Sequence, residues 1–321
     1  MAVGYDAVRD SLPPRYFAPA LRLLAPSRAT SNQGSGNGKT EDTQLAGALS
    51  SFAVVAVIAI ALPAHAAYPP EGGSSLPDVN MEAVLLAAQL DPPKSGTGIT
   101  PGSKESVARV ERALVRKGLL AKRYVDGHYG SSTRSAYSRW QRRLGADTRI
   151  GTNGLPGKTS LTKLGRGRFE VKRIVTPGRR FKHNGHERNM RTHQMKMAAA
   201  RNLRRDCKFF LSQGSYTWAN PESAGTHGGG GALDIEVDRG CGKRHRSAVR
   251  ALRQVGFAAW YRPWAGNEHI HAIAISDPDL SGPAQRQVSE YYRGGDGLEG
   301  DGSDNGPNVT KRTWEQYKRS R

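Results

Sequence analysis

The sequence contains few cysteines and few aromatic residues. The two cysteines, Cys207 and Cys241, do not belong to a Cys-x-x-Cys pair, so a zinc cage built of thiolates is excluded. If the protein is exported, we expect the two to form one disulfide, and two buried free thiols are the alternative. Aromatic residues make up 7% of the chain and apolar residues 37%, so a sizeable part of it is expected to be linker or tail rather than core.

Acidic side chains are also scarce relative to basic ones. The chain has 48 lysines and arginines against 28 aspartates and glutamates, which gives a net charge of +20. Such an excess implies an acidic partner, and both nucleic acid and the anionic polymers of a bacterial wall would fit. Because neither an RNP-type aromatic block nor a basic helix-turn-helix pattern is present, we expect no nucleic-acid partner.

A long apolar run lies near the N-terminus. It extends from Leu45 to Leu62 and is followed by Ala64-His65-Ala66, which has the small-x-small pattern of a signal-peptidase site. The run is also long enough to be an uncleaved membrane anchor. We expect residues 1–67 to be a signal-peptide region, made over-long by an early start codon. The predicted location is outside the cell, at the wall, with membrane contact only if the run is not cleaved.

The remaining chain divides by composition into stretches of different character. Two stretches with periodic apolar residues are expected to be domains, and the Pro-, Gly-, Ser- or Asp-rich stretches around them are not. The expected parts are a linker (68–102, with an isolated helix over Met81–Leu90), a first domain (103–165), a basic connector (166–188), a second domain (189–295) and a disordered tail (296–321). Docking of Trp314 and Tyr317 is the alternative for the tail.

The first domain contains an internal repeat. Asp126-Gly127-x-x-Gly130-x-x-Thr133 recurs as Asn153-Gly154-x-x-Gly157-x-x-Ser160. Each copy reads as a glycine-closed turn whose hydroxyl residue caps the next helix. With Trp140-Gln141, the pattern resembles the three-helix peptidoglycan-binding domain of wall hydrolases. The resemblance implies a small all-α domain that binds peptidoglycan; a helical bundle that has lost its binding groove is the alternative.

The second domain carries a candidate metal site. Four glycines lie between His227 and Asp234, and they would let the chain bend so that both side chains reach one point. Further along, His269 and His271 share one face of an expected strand. Two imidazoles and a carboxylate on converging strands are typical ligands of a catalytic zinc ion with one position open to water. A neutral hydrogen-bonded pair of His227 and Asp234 is the alternative.

The pattern His227-x-x-Gly230-x-Ala232-x-Asp234, followed by Glu268-x-x-His271, resembles the zinc D-Ala-D-Ala carboxypeptidases of the VanY and VanX type, whose fold Hedgehog signalling domains share. The resemblance implies an α+β domain with a small antiparallel sheet. It makes His227, Asp234 and His271 the zinc ligands, Glu268 the general base and His269 a catalytic neighbour of the metal.

The sequence departs from that family at two places. Gly225 stands where the family usually has a serine, and the turn 214–217 lacks the arginine that often holds the substrate oxyanion. We therefore expect a secreted, monomeric, zinc-dependent peptidoglycan peptidase, either a D-Ala-D-Ala carboxypeptidase or a stem-peptide endopeptidase, anchored by its first domain. The alternative is a non-catalytic peptidoglycan-binding protein with a structural metal site.

Overall fold

The computed structural model describes residues 75–92, 98–204, 206–298 and 302–321. The expected signal-peptide region, residues 1–67, therefore lies outside the described residues. Within the described ranges, no helix has both the length and the apolar character needed to span a membrane.

The described residues form a mixed α/β structure with small sheets. The strands are β1 (Asp78–Asn80), β2 (Glu170–Lys172), β3 (Arg180–His183), β4 (His186–Asn189), β5 (Leu211–Gln213), β6 (Ala232–Glu236), β7 (Phe257–Arg262) and β8 (His269–Ala274). The α-helices are α1 (Met81–Leu90), α2 (Lys104–Arg116), α3 (Ser131–Arg143), α4 (Lys158–Gly165), α5 (Met190–Leu203), α6 (His245–Gln254), α7 (Gly282–Arg293) and α8 (Trp314–Arg319).

The main sheet has four antiparallel strands in the order β5-β6-β8-β7. The alternation expected in β6 is present: Leu233 and Ile235 belong to an apolar cluster with residues of α5 and α6. Asp234 lies between them in the sequence and points to the opposite face, because successive side chains of a strand alternate. One face of the sheet therefore packs against α5 and α6. The other face carries Asp234 and also contributes Ala232 and Ile273 to a second apolar cluster.

Three helices, α2, α3 and α4, lie within residues 103–165. The apolar spacing predicted the first of them, and Val107, Val110 and Leu114 are fully buried. The repeat is also visible in the turns before α3 and α4. Asp126 Oδ1 accepts the backbone N–H of His128 at 2.8 Å, and Asn153 Oδ1 accepts that of Leu155 at 2.9 Å.

Each repeat turn is tied to the preceding helix by one buried side chain. Glu111 of α2 accepts the N–H of Gly127 at 2.9 Å, and Gln141 of α3 accepts the N–H of Gly154 at 2.9 Å. Both glycines have positive φ, +82° and +78°, which favours glycine there. Glu111 and Gln141 thus occupy equivalent positions of the duplicated unit.

The expected hydroxyl cap is present in the second copy of the repeat and absent from the first. The N-cap positions of α3 and α4 are Gly130 and Gly157, and the hydroxyl residues lie inside the first helical turn. Thr133 instead donates its hydroxyl to Glu111 at 2.8 Å, and Ser160 Oγ accepts the N–H of Gly157 at 3.2 Å. Ser160 therefore does cap α4, from the third helical position, whereas the Thr133 hydroxyl serves the buried Glu111 instead of α3.

The expected linker is wrong for its described part, because α1 belongs to the fold. Its apolar residues are buried, including Met81, Val84 and Leu85 at 0% exposure. On its polar side, Gln89 Oε1 accepts the N–H of Ser276 at 3.0 Å. A short apolar segment between Pro- and Gly-rich residues therefore packs against the second domain instead of standing alone.

The expected disordered tail is also wrong for α8. Trp314 and Tyr317 are 7% exposed and join the apolar cluster of α5 and α6. Glu315 pairs with the buried Arg191 of α5 at 2.8 Å. Arg319 donates to Glu82 of α1 at 2.8 Å, so the C-terminal helix is held by ion pairs to two distant elements.

The two expected domains share one core. A single apolar cluster contains Leu114 and Leu161 of the first together with Ile273 and Val288 of the second. The described residues accordingly fall within one compact unit. The expected connector contributes β2, β3 and part of β4 to it.

The predicted disulfide between Cys207 and Cys241 is confirmed, with the two Cα atoms 5.6 Å apart. It joins the segment before β5 to the short helical turn Gly240–Arg244 after β6. The loop that it closes contains both His227 and Asp234. The crosslink therefore limits the freedom of the segment that carries the candidate metal ligands.

Candidate metal centre

Strand register brings the first two site residues together. Asp234 of β6 lies directly opposite His271 of β8, and Trp260 of β7 lies opposite His271 on its other side. The indole ring of Trp260 is nearly parallel to the imidazole, with ring centroids 6.4 Å apart. His269, two residues before His271, projects from the same face of the sheet. Asp234, His269 and His271 thus form one polar patch on this face of the sheet.

His227 reaches this patch from the short turn Thr226–Gly228. The glycines that follow it are needed for close packing. A Cβ on Gly229 would lie 2.2 Å from the carbonyl oxygen of Asp279, and Gly231 has a φ of +83°. These two positions exclude larger residues, so the chain can turn directly from His227 into β6.

The three side chains form a tight buried cluster. His227 Nε2 lies 3.2 Å from Asp234 Oδ2 and 3.4 Å from His271 Nδ1. Asp234 Oδ1 lies 2.7 Å from His271 Nδ1. Ligand atoms about 2.0–2.1 Å from a tetrahedral zinc ion are about 3.3 Å from one another. The cluster could therefore hold a metal ion.

The outer nitrogen of each imidazole contacts a carbonyl oxygen. His227 Nδ1 lies 2.8 Å from the Gly214 carbonyl, and His271 Nε2 lies 2.8 Å from Gln287 Oε1. The Gln287 amide cannot be reversed without loss, because its Nε2 donates to the Gly297 carbonyl at 2.9 Å. Each outer nitrogen is therefore the N–H donor, and carbonyl partners of this kind are typical of metal-binding histidines.

This arrangement leaves three lone pairs facing one another. If the outer nitrogens carry the protons, the inner nitrogens of His227 and His271 and the Asp234 carboxylate are all acceptors. Acceptors at these distances repel unless a cation or an additional proton lies between them. The residues present thus fit a metal ion in donor type, spacing and hydrogen bonding.

The protonation states agree with this fit. Burial raises the pKa of Asp234, but the charge and hydrogen bonds of His271 and His227, when these imidazoles are protonated, outweigh it and hold that pKa well below its usual range. Without a metal ion, such an additional proton lies between the three acceptors. Burial lowers the pKa of His271. An ionised carboxylate with a neutral imidazole is the pair that metal ligation requires.

The two predicted catalytic residues lie in different surroundings. His269 is 6% exposed, lines the cavity beside the cluster, and has its Nε2 3.7 Å from Asp234 Oδ1. Its Nδ1 contacts the Asn267 carbonyl at 2.8 Å, so Nε2 faces the cavity as an acceptor. Glu268 is exposed, does not line the cavity, and accepts the Tyr261 hydroxyl at 3.2 Å. The structure brings His269, and not Glu268, to the cluster.

A cavity of about 240 Å³ opens beside the cluster. Arg262, the last residue of β7 and directly opposite His269, is 4% exposed and lines this cavity. Its guanidinium carbon lies 5.2 Å from the Trp260 ring centroid and 5.7 Å from that of Trp264. The buried Nη2 has no hydrogen-bond partner.

Arg262 remains cationic at neutral pH. Burial lowers its pKa to about 10, still well above that range. An unpartnered, charged donor in a cavity can hold an anionic oxygen. The site thus contains the kind of cation that the turn 214–217 lacks.

Arg262 and Gln287 were not predicted from the sequence. Arg262 ends an apolar strand, where a cation usually marks the return to solvent, and Gln287 is a common residue on helix surfaces. Only the pairing of β7 with β8 and the packing of α7 bring them to the cluster.

The sequence was also compared with models of known protein families and with curated proteins, and neither comparison gave a match.

Proposed function

We propose that this chain is a zinc-dependent peptidoglycan peptidase of the cell exterior, either a D-Ala-D-Ala carboxypeptidase or a stem-peptide endopeptidase. The arrangement of His227, Asp234 and His271 is the main support. Their inner ligand atoms converge, and the outer nitrogens of both histidines are held by carbonyl oxygens. Two histidines and one carboxylate would leave a zinc ion with one position for water, and all three residues line the cavity.

The residues around the cavity fit amide hydrolysis. Bound zinc would supply a Lewis acid that polarises the scissile carbonyl and makes water more acidic. His269 would accept a proton from the attacking water at its Nε2 and return it to the leaving amine. Arg262 would hold a negatively charged oxygen, either the developing oxyanion or a terminal carboxylate of the substrate.

Wall binding by residues 103–165 is the second part of the proposal. The duplicated turn-helix unit and the net charge of +20 support it, because peptidoglycan and its attached polymers are acidic. The disulfide supports export, since such bonds persist in oxidising surroundings.

The deciding experiment is digestion of purified peptidoglycan, followed by mass spectrometry of the soluble fragments. We expect new stem-peptide products that a chelator abolishes and added zinc restores. Fragment masses distinguish loss of a terminal D-alanine from internal cleavage. Sedimentation of the protein with insoluble peptidoglycan, in the presence of chelator, measures wall binding independently of cleavage.

The exposure of Glu268 favours a second candidate function. The base implied by the family resemblance is outside the cavity and paired with Tyr261, which is compatible with a non-catalytic wall-binding protein whose metal is structural. That protein would contain zinc and sediment with peptidoglycan without releasing any peptide. The same digestion therefore separates the two functions.

A further inference from the structure

A second cavity, of about 660 Å³, lies away from the metal centre. Its walls come from the β3–β4 hairpin, one side of α5 and the segment 208–211 before and at the start of β5. It shares no lining residue with the cavity beside His269.

The charge of this second cavity is strongly positive. Arg188, Lys196, Lys208 and Arg239 line it, together with three histidines. The single acidic residue in its lining, Glu236, is already paired with Arg239. Arg188, Lys196 and Lys208 thus have no acidic partner within the cavity.

Two of the cations are buried. Arg188 is 2% exposed and Lys196 is 7% exposed. Burying a charge is unfavourable unless an opposite charge or strong hydrogen bonds compensate for it. Carbonyl oxygens do so in part: Arg188 Nη2 donates to the His183 carbonyl at 2.5 Å, and Lys196 Nζ donates to that of Phe209 at 3.1 Å.

Two buried nitrogen atoms of the lining side chains nevertheless have no hydrogen-bond partner. Arg188 Nε and His193 Nδ1 are buried without a partner, although both residues line the cavity. A buried donor without an acceptor destabilises a fold. Burial, followed by the charges of Lys196 and Arg188, lowers the pKa of His193 to about 4, which reflects the positive potential at this place.

We infer that this cavity is a binding site for a phosphate group. Its nitrogen donors come from β4, from α5 and from the segment before β5, so they approach from several directions. A tetrahedral phosphate has enough oxygens to meet them, and a planar carboxylate has only two. The guanidinium and ammonium groups are the usual partners of phosphate in proteins. The phosphate could be free or a phosphodiester of an anionic polymer, and the site recognises the chemistry that these share.

The test is a calorimetric titration of the folded, disulfide-bonded chain with two probes, inorganic phosphate and a short poly(glycerol phosphate). We expect saturable binding, weakened roughly tenfold or more by Lys196→Met, since a charge-assisted hydrogen bond is lost. Lys208→Gln changes an exposed side chain at the same cavity and should also weaken binding. If the polymer binds more tightly per phosphate than inorganic phosphate does, the natural ligand is a phosphodiester polymer. If the two bind equally, it is free phosphate.

Arg250→Gln is the matched control, because it removes one positive charge from an exposed position on α6 outside this cavity. It should change the dissociation constants less than about twofold. Thermal unfolding identifies any variant that has lost its fold. The proposal is overturned if neither probe binds saturably, or if folded Lys196→Met and Lys208→Gln bind both probes as the control does.

Discussion

Asp234 and His271 face each other across neighbouring strands, with Oδ1 and Nδ1 2.7 Å apart, and His227 closes the triangle from a separate turn. We predict that the purified protein carries about one zinc ion per chain. His227→Ala and His271→Ala should each reduce the zinc content to near zero, because two protein ligands hold zinc far less tightly than three. Metal analysis by mass spectrometry measures this directly.

His245→Ala is the control for the metal prediction, since His245 is an exposed histidine outside the cluster. Its zinc content should equal that of the wild type. If a His227→Ala, His271→Ala double variant keeps its zinc, the cluster is not the zinc site. An additional proton, rather than a metal ion, would then lie between the two imidazoles and the Asp234 carboxylate.

The neighbours His269 and Glu268 provide the test of the proton acceptor. His269→Ala should lower the turnover of wall peptides by about 10²–10⁴-fold, the usual contribution of a general base. Glu268→Gln should stay within a few-fold of the wild type, because Glu268 is exposed and contacts Tyr261 instead of the cavity. Zinc content should be unchanged in both variants. If Glu268→Gln instead loses more activity than His269→Ala, Glu268 is the general base, as the family resemblance implies.

Arg262 is predicted to bind the substrate through an anionic oxygen. Arg262→Gln should lower kcat/KM by roughly 10–100-fold, since a hydrogen bond to a charged group contributes about 1.5–3 kcal/mol. The kcat/KM of Arg262→Lys should lie between those of Arg262→Gln and the wild type, because an ammonium keeps the charge but lacks the planar fork of a guanidinium. Thermal unfolding shows whether either variant is still folded.

Paired substrates show which oxygen Arg262 holds. If it binds a terminal carboxylate, the wild type should prefer a peptide with a free C-terminus to the same peptide amidated. Arg262→Gln should then lose that preference. If the variant slows both peptides equally, Arg262 acts on the oxyanion; if it slows neither, Arg262 has no part in the reaction.

The sequence predicted the metal cluster from local spacing together with the family resemblance, and the resemblance supplied the choice of the three ligands. Spacing alone indicated that His269 and His271 share a strand face, and the glycines after His227 indicated a tight turn. Whether a residue next to these histidines also reaches the site depends on where the strand begins. Strand β8 starts at His269, so Glu268 precedes it and lies outside the cavity.

Long-range pairings could not be predicted in this way. Helix α8 depends on Glu315 meeting Arg191, and α1 depends on Glu82 meeting Arg319. Each partner lies more than a hundred residues away in the chain, and short segments without these contacts read as linker or tail. Arg262 escaped prediction for the same reason, because its role follows from the strand that lies beside it.

The final prediction concerns stability and the buried carboxyl of Glu111. Burial raises the pKa of Glu111 to about 7 from a model-peptide value of 4.5. Between these pH values the folded chain therefore holds a proton that the unfolded chain has released. The contribution of Glu111 to stability is greatest below about pH 4.5 and is lost as the pH rises through about 7, by up to about 3 kcal/mol.

Glu111→Gln should remove this pH dependence, because an amide does not titrate. The duplicated unit already has a glutamine, Gln141, in the equivalent position, so the turn accommodates the amide. Urea unfolding from pH 5 to pH 8.5 should show the variant gaining stability relative to wild type as the pH rises. Other titrating groups are common to both proteins and cancel in the difference.

Glu105→Gln is the matched control on the same helix, since the Glu105 side chain is 79% exposed and its ion pair with Arg109 is long, at 3.9 Å. Its stability difference from wild type should stay within about 1 kcal/mol over the same pH range. If the difference for Glu111→Gln is equally flat, then Glu111 is ionised in the folded chain throughout. In that case the N–H groups of Asp126 and Gly127 and the Thr133 hydroxyl compensate for its burial completely.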